Sequence, residues 1–318
     1  MLASNLYNIN LIAKILKAKA HLHNSEIVIK KLLTDTRLIT EPESSLFFAI
    51  KAQRDGHDFI EHAYENGIRN FVVIKGYSIK YQDANFLIVE DVLKALQDLA
   101  IYNRNKHDLK VIGIMGSNGK TIVKEWLYQL LSDQYDIVKS PKSYNSQIGV
   151  PLSVLKINKN HNLGIFEAGI SQPGEMERSS NIIKPNIGVF TNIGLAHSEG
   201  FLNLRQKINE KLMLFRNAEL LIYCKDHLEL HETILQYRQQ IKNPDKEPIQ
   251  LFDWSKKTNA TLKITATETL DKQTTITAKY QDEQIAICIP FSDAAYLENA
   301  INCWCVLLSL GLDHTLIA

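Results

Sequence analysis

A glycine-rich segment that ends in a lysine and a threonine is the first group of residues in this sequence that could do chemistry. Gly116-Ser-Asn-Gly-Lys-Thr121 follows an apolar run and opens a helical pattern. Glycines let the backbone fold tightly so that successive amides face phosphate oxygens, and a helix N-terminus adds its dipole. Lys120 would contact the outer phosphates, and the Thr121 hydroxyl would reach a Mg²⁺ ion. Ile114 stands where the GxxxxGK(S/T) pattern has its first glycine, and a glycine-rich turn that binds nothing is the alternative.

A carboxylate at the end of another apolar run could bind the metal ion. Glu167 ends the run Leu163–Glu167 and is followed by Ala168 and Gly169. In P-loop folds a strand beside the phosphate loop carries an acidic residue that holds Mg²⁺. We therefore expect Glu167 to be a metal ligand, with a solvated loop glutamate as the alternative.

A parallel sheet would bring these two groups together. From Leu109 onward the sequence alternates strand, loop and helix, which is typical of a mostly parallel sheet covered on both faces. Alternating Thr and Ile residues near the C-terminal end predict antiparallel strands at one edge of that sheet. The predicted strands are 110–115, 163–167, 187–191, 219–224, 262–267, 274–280 and 284–289. A final helix is predicted over 294–310.

Residues 1–108 predict a separate, small α/β domain. A helix over 9–19, buried strands at 45–50 and 70–74 and a short helix before Gly67 alternate there. A helix from Asp91 to Tyr102 then leads into a polar stretch, 103–108, without an apolar anchor, where we place the domain boundary. The fold class is therefore α/β: a small N-terminal domain, 1–108, and a P-loop central domain, 109–318, with a mostly parallel sheet and an antiparallel edge.

The composition fits a protein of the cytoplasm without a broad electrostatic partner. Its 318 residues are 45% hydrophobic and 22% charged, and the formal net charge is +1, which argues against nucleic acid or a membrane as partner. The four cysteines form no CxxC pair, so we expect them to be reduced. We find no signal peptide and no run of about 18 apolar residues, so no membrane segment is predicted.

Four motifs in a fixed order indicate a family. They are Gly116–Thr121, Tyr144-Asn-Ser-Gln-Ile-Gly-Val-Pro151, Glu167-Ala-Gly169 and Thr191-Asn-Ile-Gly-Leu-Ala-His197, with Lys211 in the helix that follows. Together they resemble the ATP site of the Mur ligases, which build the peptide of the bacterial cell wall. The resemblance implies an ATP-dependent carboxylate–amine ligase that works through an acyl phosphate.

The resemblance also implies roles for single residues. The expected ATP contacts are Gly116, Ser117, Asn118, Gly119, Lys120, Thr121 and, against adenine, Asn299. Two Mg²⁺ ions are expected, one at Thr121 and Glu167 and the other at His197 and Lys211. Lys211 is expected to carry a carbamate derived from CO₂, whereas its spacing alone favours a solvent-facing helical lysine. Lys120, Glu167, His197 and Lys211 are thus the expected catalytic residues.

Within the family, the N-terminal domain resembles that of the branch that joins D-alanyl-D-alanine to UDP-N-acetylmuramoyl-tripeptide. Asp35-Thr36-Arg37 matches that branch, so Thr36, Arg37 and, from the central domain, Asn145 are expected to bind the UDP-sugar substrate; for Arg37 a surface ion pair is the alternative. Segments 120–125 and 140–145 resemble the Bacteroidetes type, which is often fused to an alanine racemase. Family members have a third, C-terminal domain, which the resemblance places beyond the end of this sequence.

Other functions remain to be distinguished. A GTPase would need an Asn-Lys-x-Asp motif, and Asn158-Lys-Asn-His161 lacks the aspartate. Folylpolyglutamate ligases share the ATPase core but have no domain like residues 25–90. Another Mur-type amino-acid ligase, or a nucleotide- or UDP-sugar-binding module without turnover, remains an alternative because a third domain is expected to complete the site.

Overall fold

The computed structural model describes residues 7–194, 201–240 and 247–312. These residues form two compact units. The first unit comprises the chain up to Asp108 together with Gln147–Lys159, and the second comprises Leu109–Ser146 and the chain from Asn160 onward. Segment 147–159 therefore groups with the first unit, although it follows the boundary that the sequence suggests.

The first unit contains a five-stranded sheet. The elements up to Asp108 are β1 (Tyr7–Asn8), α1 (Ile9–Leu16), β2 (Lys19–His21), β3 (Val28–Ile29), β4 (Lys31–Leu33), β5 (Ser45–Phe48), α2 (Ile60–Glu65), β6 (Asn70–Ile74), β7 (Asn85–Val89) and α3 (Val92–Asn105). The sheet order is β2-β7-β6-β5-β4, parallel except for β2. Phe47, Phe71 and Phe86 pack together in its core. The two predicted buried strands are confirmed.

The polar stretch that the sequence places after Tyr102 begins with a buried residue. Helix α3 continues to Asn105, and the side chain of Asn103 is buried. Its amide donates to the carbonyls of Val154 and Ile157 at 3.0 and 3.2 Å, and its Oδ1 accepts from the Tyr7 hydroxyl at 2.5 Å. A polar side chain can anchor a helix when its hydrogen bonds are satisfied in the interior. This amide joins segment 147–159 to the first unit.

The second unit contains a nine-stranded sheet. From Leu109 the elements are β8 (Lys110–Met115), α4 (Lys120–Leu131), β9 (Ile137–Lys139), α5 (Gly149–Val154, in the first unit), β10 (Leu163–Glu167), α6 (Glu175–Ile183), β11 (Ile187–Phe190), α7 (Leu204–Leu212), β12 (Leu220–Cys224), α8 (Leu228–Gln240), β13 (Gln250–Ser255), β14 (Leu262–Leu270), β15 (Gln273–Tyr280), β16 (Glu283–Ile289) and α9 (Ala294–Ser309). Their order is β16-β15-β14-β13-β12-β11-β8-β10-β9. Only the pairings β14–β15 and β15–β16 are antiparallel, which confirms the predicted fold class.

The carboxyl ends of the neighbouring strands β10, β8 and β11 lie at one edge of the sheet, where a ligand-binding site can form. Strand β8 lies between β10 and β11, with Glu167 in register with Ile114 and Phe190 with Met115. The loops that follow these strands leave the sheet at the same edge. In open α/β sheets, ligands bind at this edge where the strand order reverses, as it does around β8.

The cysteines and helices agree with the sequence predictions. All four cysteines are free, and burial raises the pKa of the Cys224 thiol to about 12. Within the described ranges, none of the helices is long and apolar enough to span a membrane.

Candidate nucleotide-binding site

The loop between β8 and α4 requires glycine at two positions. Gly116 and Gly119 have φ angles of 151° and 82°, where residues with a side chain are strained. A Cβ on Gly116 would lie 1.9 Å from the Thr191 Oγ1, and one on Gly119 would lie 2.2 Å from the Asn299 Oδ1. Backbone conformation and close packing therefore select glycine at both positions.

The segment after β11 holds this loop in place. The Ser117 amide donates to the Asn192 carbonyl at 3.0 Å, and the Asn118 amide donates to the Asn192 Oδ1 at 2.9 Å. The Thr191 hydroxyl donates to the Asn118 carbonyl at 2.5 Å, and the Gly194 amide donates to the Ser117 Oγ at 3.0 Å. Two motifs that are about 70 residues apart in sequence thus form one rigid structure.

The N-terminus of α4 is open to an anion. Gly119 precedes the helix and supplies no side-chain cap, and the first amides of a helix have no acceptor within it. An anion placed there satisfies these amides and interacts favourably with the helix dipole. The amides of Ser117 and Asn118 donate to Asn192 in this structure, and their contact with phosphate stays a prediction.

Three lysine ammonium groups converge on the same loops. The Nζ atoms of Lys120 and Lys211 donate to the Gly116 carbonyl at 2.8 and 3.4 Å. The Nζ of Lys207, one turn before Lys211 on α7, donates to the Gly194 carbonyl at 2.9 Å. This convergence of positive charge creates a site suited to several negative charges, as a polyphosphate carries.

Burial and mutual repulsion change the protonation of these lysines. Burial lowers the pKa of Lys120, partly opposed by Glu167, and burial also lowers that of Lys207. Burial, together with the charges of Lys120 and Lys207, lowers the pKa of Lys211 to about 7. Only 5% of Lys211 is exposed, which rules out a solvent-facing lysine.

Glu167 lies beside the first turn of α4. It has no exposed surface, which rules out a solvated loop glutamate. The Thr121 hydroxyl donates to its Oε2 at 2.9 Å, and the Lys124 Nζ lies 3.3 Å from its Oε1. Its amide donates to the Ser140 Oγ at 3.3 Å. The carboxylate thus has a fixed position at the mouth of the phosphate loop.

The oxygens of Thr121 and Glu167 fit a magnesium ion. Hydroxyl and carboxylate oxygens are the hard ligands that Mg²⁺ prefers, and it usually takes few of them from the protein and the rest from phosphate and water. In the described ranges there is no cluster of three or more His, Cys, Asp or Glu residues that could hold a metal ion. His197, which is expected to bind a second metal ion together with Lys211, lies outside the described residues.

Two buried lysines of this site were missed by the sequence analysis. Lys124 lies one turn before Leu127 and two turns before Leu131, a spacing that places it on the buried face of α4. Lys207 precedes Lys211 by one turn, a spacing that places both lysines on the same face of α7. Both signals were present in the helical periodicity.

Two asparagines that are expected to contact ligands, Asn145 and Asn299, lie close to the glycine-rich turns of the second unit. The Asn145 carbonyl accepts the Gly169 amide at 2.8 Å, which brings Asn145 next to the turn after Glu167. Asn299 is buried against Gly119. Its contact with adenine stays a prediction.

In the first unit, Thr36 and Arg37 begin a 3₁₀ turn that Asp35 caps. The Arg37 Nε and Nη2 atoms donate to the Asp35 carboxylate, with Nη2 to Oδ2 at 2.6 Å. The surface ion pair considered as the alternative is therefore present, while the binding role of both residues stays a prediction.

Comparison with known proteins agrees with this geometry. Residues 114–307 match the family model described as the Mur ligase middle domain. A UDP-N-acetylmuramoyl-tripeptide–D-alanyl-D-alanine ligase from Borreliella burgdorferi is 33% identical over 311 residues, which cover 94% of this chain and 65% of that protein. The chain thus spans somewhat less than two thirds of that relative's length.

Solved structures share the fold. A crystal structure of MurF from Acinetobacter baumannii has a TM-score of 0.84 at 23% identity and covers 98% of this chain and 67% of its own. MurF from Thermotoga maritima in complex with ADP has a TM-score of 0.77 at 23% identity and covers 91% and 65%. Because the family model alone matches well over half of the 318 residues, the chain belongs to the Mur ligase family.

Proposed function

We propose that this chain is part of an ATP-dependent ligase that joins D-alanyl-D-alanine to UDP-N-acetylmuramoyl-tripeptide in peptidoglycan synthesis. The observation that carries the nucleotide part is the convergence of Lys120, Lys207 and Lys211 on the phosphate loop and the segment after β11, beside Thr121 and the buried Glu167. The choice of substrates is supported by the name of the Borreliella burgdorferi relative.

The reaction explains why the site concentrates positive charge. A carboxylate must be activated before an amine can displace oxygen from it. Transfer of the γ-phosphoryl group of ATP to the carboxylate gives an acyl phosphate and ADP, and attack by the amine then releases phosphate. Two anions have to approach each other in the first step, so positioning and neutralisation of charge dominate the catalysis. Lys120 and the N-terminus of α4 supply both.

Magnesium binding follows from the same residues. Thr121 and Glu167 would hold one ion, and His197 with a carbamylated Lys211 would hold the other. Bound Mg²⁺ would neutralise phosphate charge and orient the acyl oxygen. Carbamylation requires a neutral amine, and the lowered pKa of Lys211, about 7, supports it. The carbamate would replace a repelling cation by an anion with two oxygens.

The first unit would bind the UDP-sugar part of the substrate. Arg37 pairs with Asp35 at the surface, and a guanidinium suits phosphate oxygens. Thr36 adds a hydroxyl, and Asn145 would contribute from the second unit. The part of the relatives that this chain does not span would supply a third domain with further contacts. We place the protein in the cytoplasm, since its proposed nucleotide substrates are found there.

Calorimetry and a phosphate-release assay test this proposal. The protein should bind Mg·ADP and UDP-N-acetylmuramoyl-tripeptide, and Lys120→Met should lose most of the Mg·ADP affinity. A chain extended to the length of the relatives should release phosphate only with ATP, the UDP-tripeptide and D-alanyl-D-alanine together. Release with a single amino acid instead of the dipeptide would favour another Mur-type ligase. Binding without release in the extended chain would favour a module without turnover.

A further inference from the structure

Lys124 is a charged residue on the buried face of a helix. Its side chain has no exposed surface, and its neighbours on this face are the apolar residues Val123, Leu127 and Leu131 of α4. An ammonium group in this position is costly unless it is paired and hydrogen-bonded. The position would suit an aliphatic side chain if packing were its only purpose.

The Lys124 ammonium has three partners. Its Nζ lies 3.3 Å from the Glu167 Oε1 and 3.2 Å from the Glu125 Oε1, and it donates to the Lys142 carbonyl. Glu125 also pairs with Lys139 on β9. Charges thus alternate from β9 through α4 to the end of β10, and Lys124 balances the fully buried carboxylate of Glu167.

The two oxygens of Glu167 are distinguished by their partners. Oε1 faces Lys124, whereas Oε2 accepts the Thr121 hydroxyl at 2.9 Å. Thr121 is the residue directly after Lys120 of the phosphate loop, so Oε2 is the oxygen on the side of the expected cation. A quarter-turn of the carboxylate plane would break both contacts, whereas a half-turn only exchanges two equivalent oxygens.

We propose that Lys124 is a positioning residue that holds Oε1 of Glu167 and thereby presents Oε2, with Thr121, to the divalent cation of the nucleotide. This inference rests on the proposed function, because it concerns the metal of the same site. Lys124 itself contacts neither nucleotide nor metal. Residues behind a ligand that orient it in this way strongly affect metal affinity.

The test separates metal affinity from nucleotide affinity. Mn²⁺ binding to the protein with ADP is measured by electron paramagnetic resonance, and ADP binding in EDTA is measured by calorimetry. Lys124→Met should weaken Mn²⁺ binding about tenfold or more while ADP binding in EDTA stays close to that of the unchanged protein. Glu125→Gln is the matched control, since it removes a partner of Lys124 that does not contact Glu167; it should keep normal Mn²⁺ affinity.

Two outcomes would overturn the proposal in distinguishable ways. Normal or tighter Mn²⁺ binding by Lys124→Met would show that Lys124 does not position Glu167, while the nucleotide site would stand. Failure of the unchanged protein to bind Mn·ADP would overturn the proposed function and this inference together.

A second measurement does not depend on the folding of a variant. In a crystal structure of the unchanged protein with Mn·ADP, Oε2 of Glu167 should contact the metal while Oε1 stays within hydrogen-bond distance of the Lys124 Nζ. A metal held by both oxygens of Glu167, or a Lys124 that no longer contacts the carboxylate, would contradict the proposal.

Discussion

The two units each hold a cation against a carboxylate, but in opposite surroundings. Arg37 and Asp35 lie at the surface of the first unit, with 85% and 31% of their side chains exposed. Lys124 and Glu167 lie inside the second unit, with no exposed side-chain surface. The chemistry of the two pairs is similar, and the solvent decides what each pair can do.

Solvent makes the surface pair adaptable and the buried pair rigid. Water competes with Asp35 for Arg37, so the guanidinium can exchange its partner for a phosphate at little cost. Lys124 has no such exchange available, because an unpaired charge in the interior is strongly unfavourable. A buried pair is therefore suited to fixing geometry, and an exposed pair is suited to binding and releasing a ligand.

The largest effect should follow from breaking the buried pair. Lys124→Met leaves the Glu167 carboxylate buried without its cation, so the free energy of unfolding should fall by about 3–5 kcal/mol. Urea titration followed by circular dichroism measures this change. Adding Glu167→Gln to Lys124→Met should restore a large part of the loss, because it removes the unpaired charge. Equal stability of the two variants would show that the charges do not interact.

An effect that depends on pH should arise from a buried cation that faces other cations. Lys211 has a pKa of about 7 in the folded protein, against an ordinary value of 10.5. Below pH 7 the Lys211 side chain is charged in both the folded protein and the unfolded chain, so the full free-energy cost of burying the ammonium lowers the stability. Between these two values the folded protein releases the proton and the unfolded chain keeps it, so stability rises with pH, by at most about 1.4 kcal/mol per unit.

Comparison with Lys211→Met isolates this contribution. In buffer free of CO₂, the free energy of unfolding of the unchanged protein relative to Lys211→Met should increase above pH 7. Unfolding at a series of pH values measures it. Parallel pH profiles for the two proteins would mean that Lys211 titrates as an ordinary lysine and that its amine is not prepared for carbamylation.

Local signals account for the part of the site that the sequence predicts. Gly116 and Gly119 stand where the backbone has a positive φ, and the apolar run before Glu167 predicts the end of a strand. These features depend on a few neighbouring residues. The sheet around β8 was predicted for the same reason, since each strand carries its own apolar pattern.

Long-range packing accounts for what was missed. The burial of Lys124 depends on Glu167, which is 43 residues away, and Lys207 points to a loop carbonyl of Gly194. The burial of Asn103 likewise depends on Tyr7 and Ile157, which come from distant parts of the chain. Helical periodicity shows that Lys124 and Lys207 lie on buried faces, but no local pattern shows which partners such a residue finds in the interior.

A buried but neutral polar group should have an intermediate effect. Asn103→Leu leaves the Tyr7 hydroxyl and the carbonyls of Val154 and Ile157 without this partner, so the free energy of unfolding should fall by about 1–3 kcal/mol. Urea titration measures it, and Asn105→Leu, at an exposed position on the same helix, is the control. A stable Asn103→Leu protein would mean that the amide does not anchor segment 147–159.

The smallest effect on stability should come from the surface pair. Arg37→Ala should leave the unfolding transition unchanged, because the Arg37 side chain is largely in solvent. Its affinity for UDP-N-acetylmuramoyl-tripeptide should nevertheless fall in calorimetry, and Arg37→Lys should restore only part of it, since an ammonium lacks the planar fork of a guanidinium. Lys75→Ala is the matched control, because Lys75 forms an exposed ion pair with Glu90 in the same unit. If Arg37→Ala binds the UDP-tripeptide as well as Lys75→Ala does, Arg37 does not bind the substrate and only pairs with Asp35. The Arg37–Asp35 and Lys124–Glu167 pairs would then differ in solvent exposure and not in function.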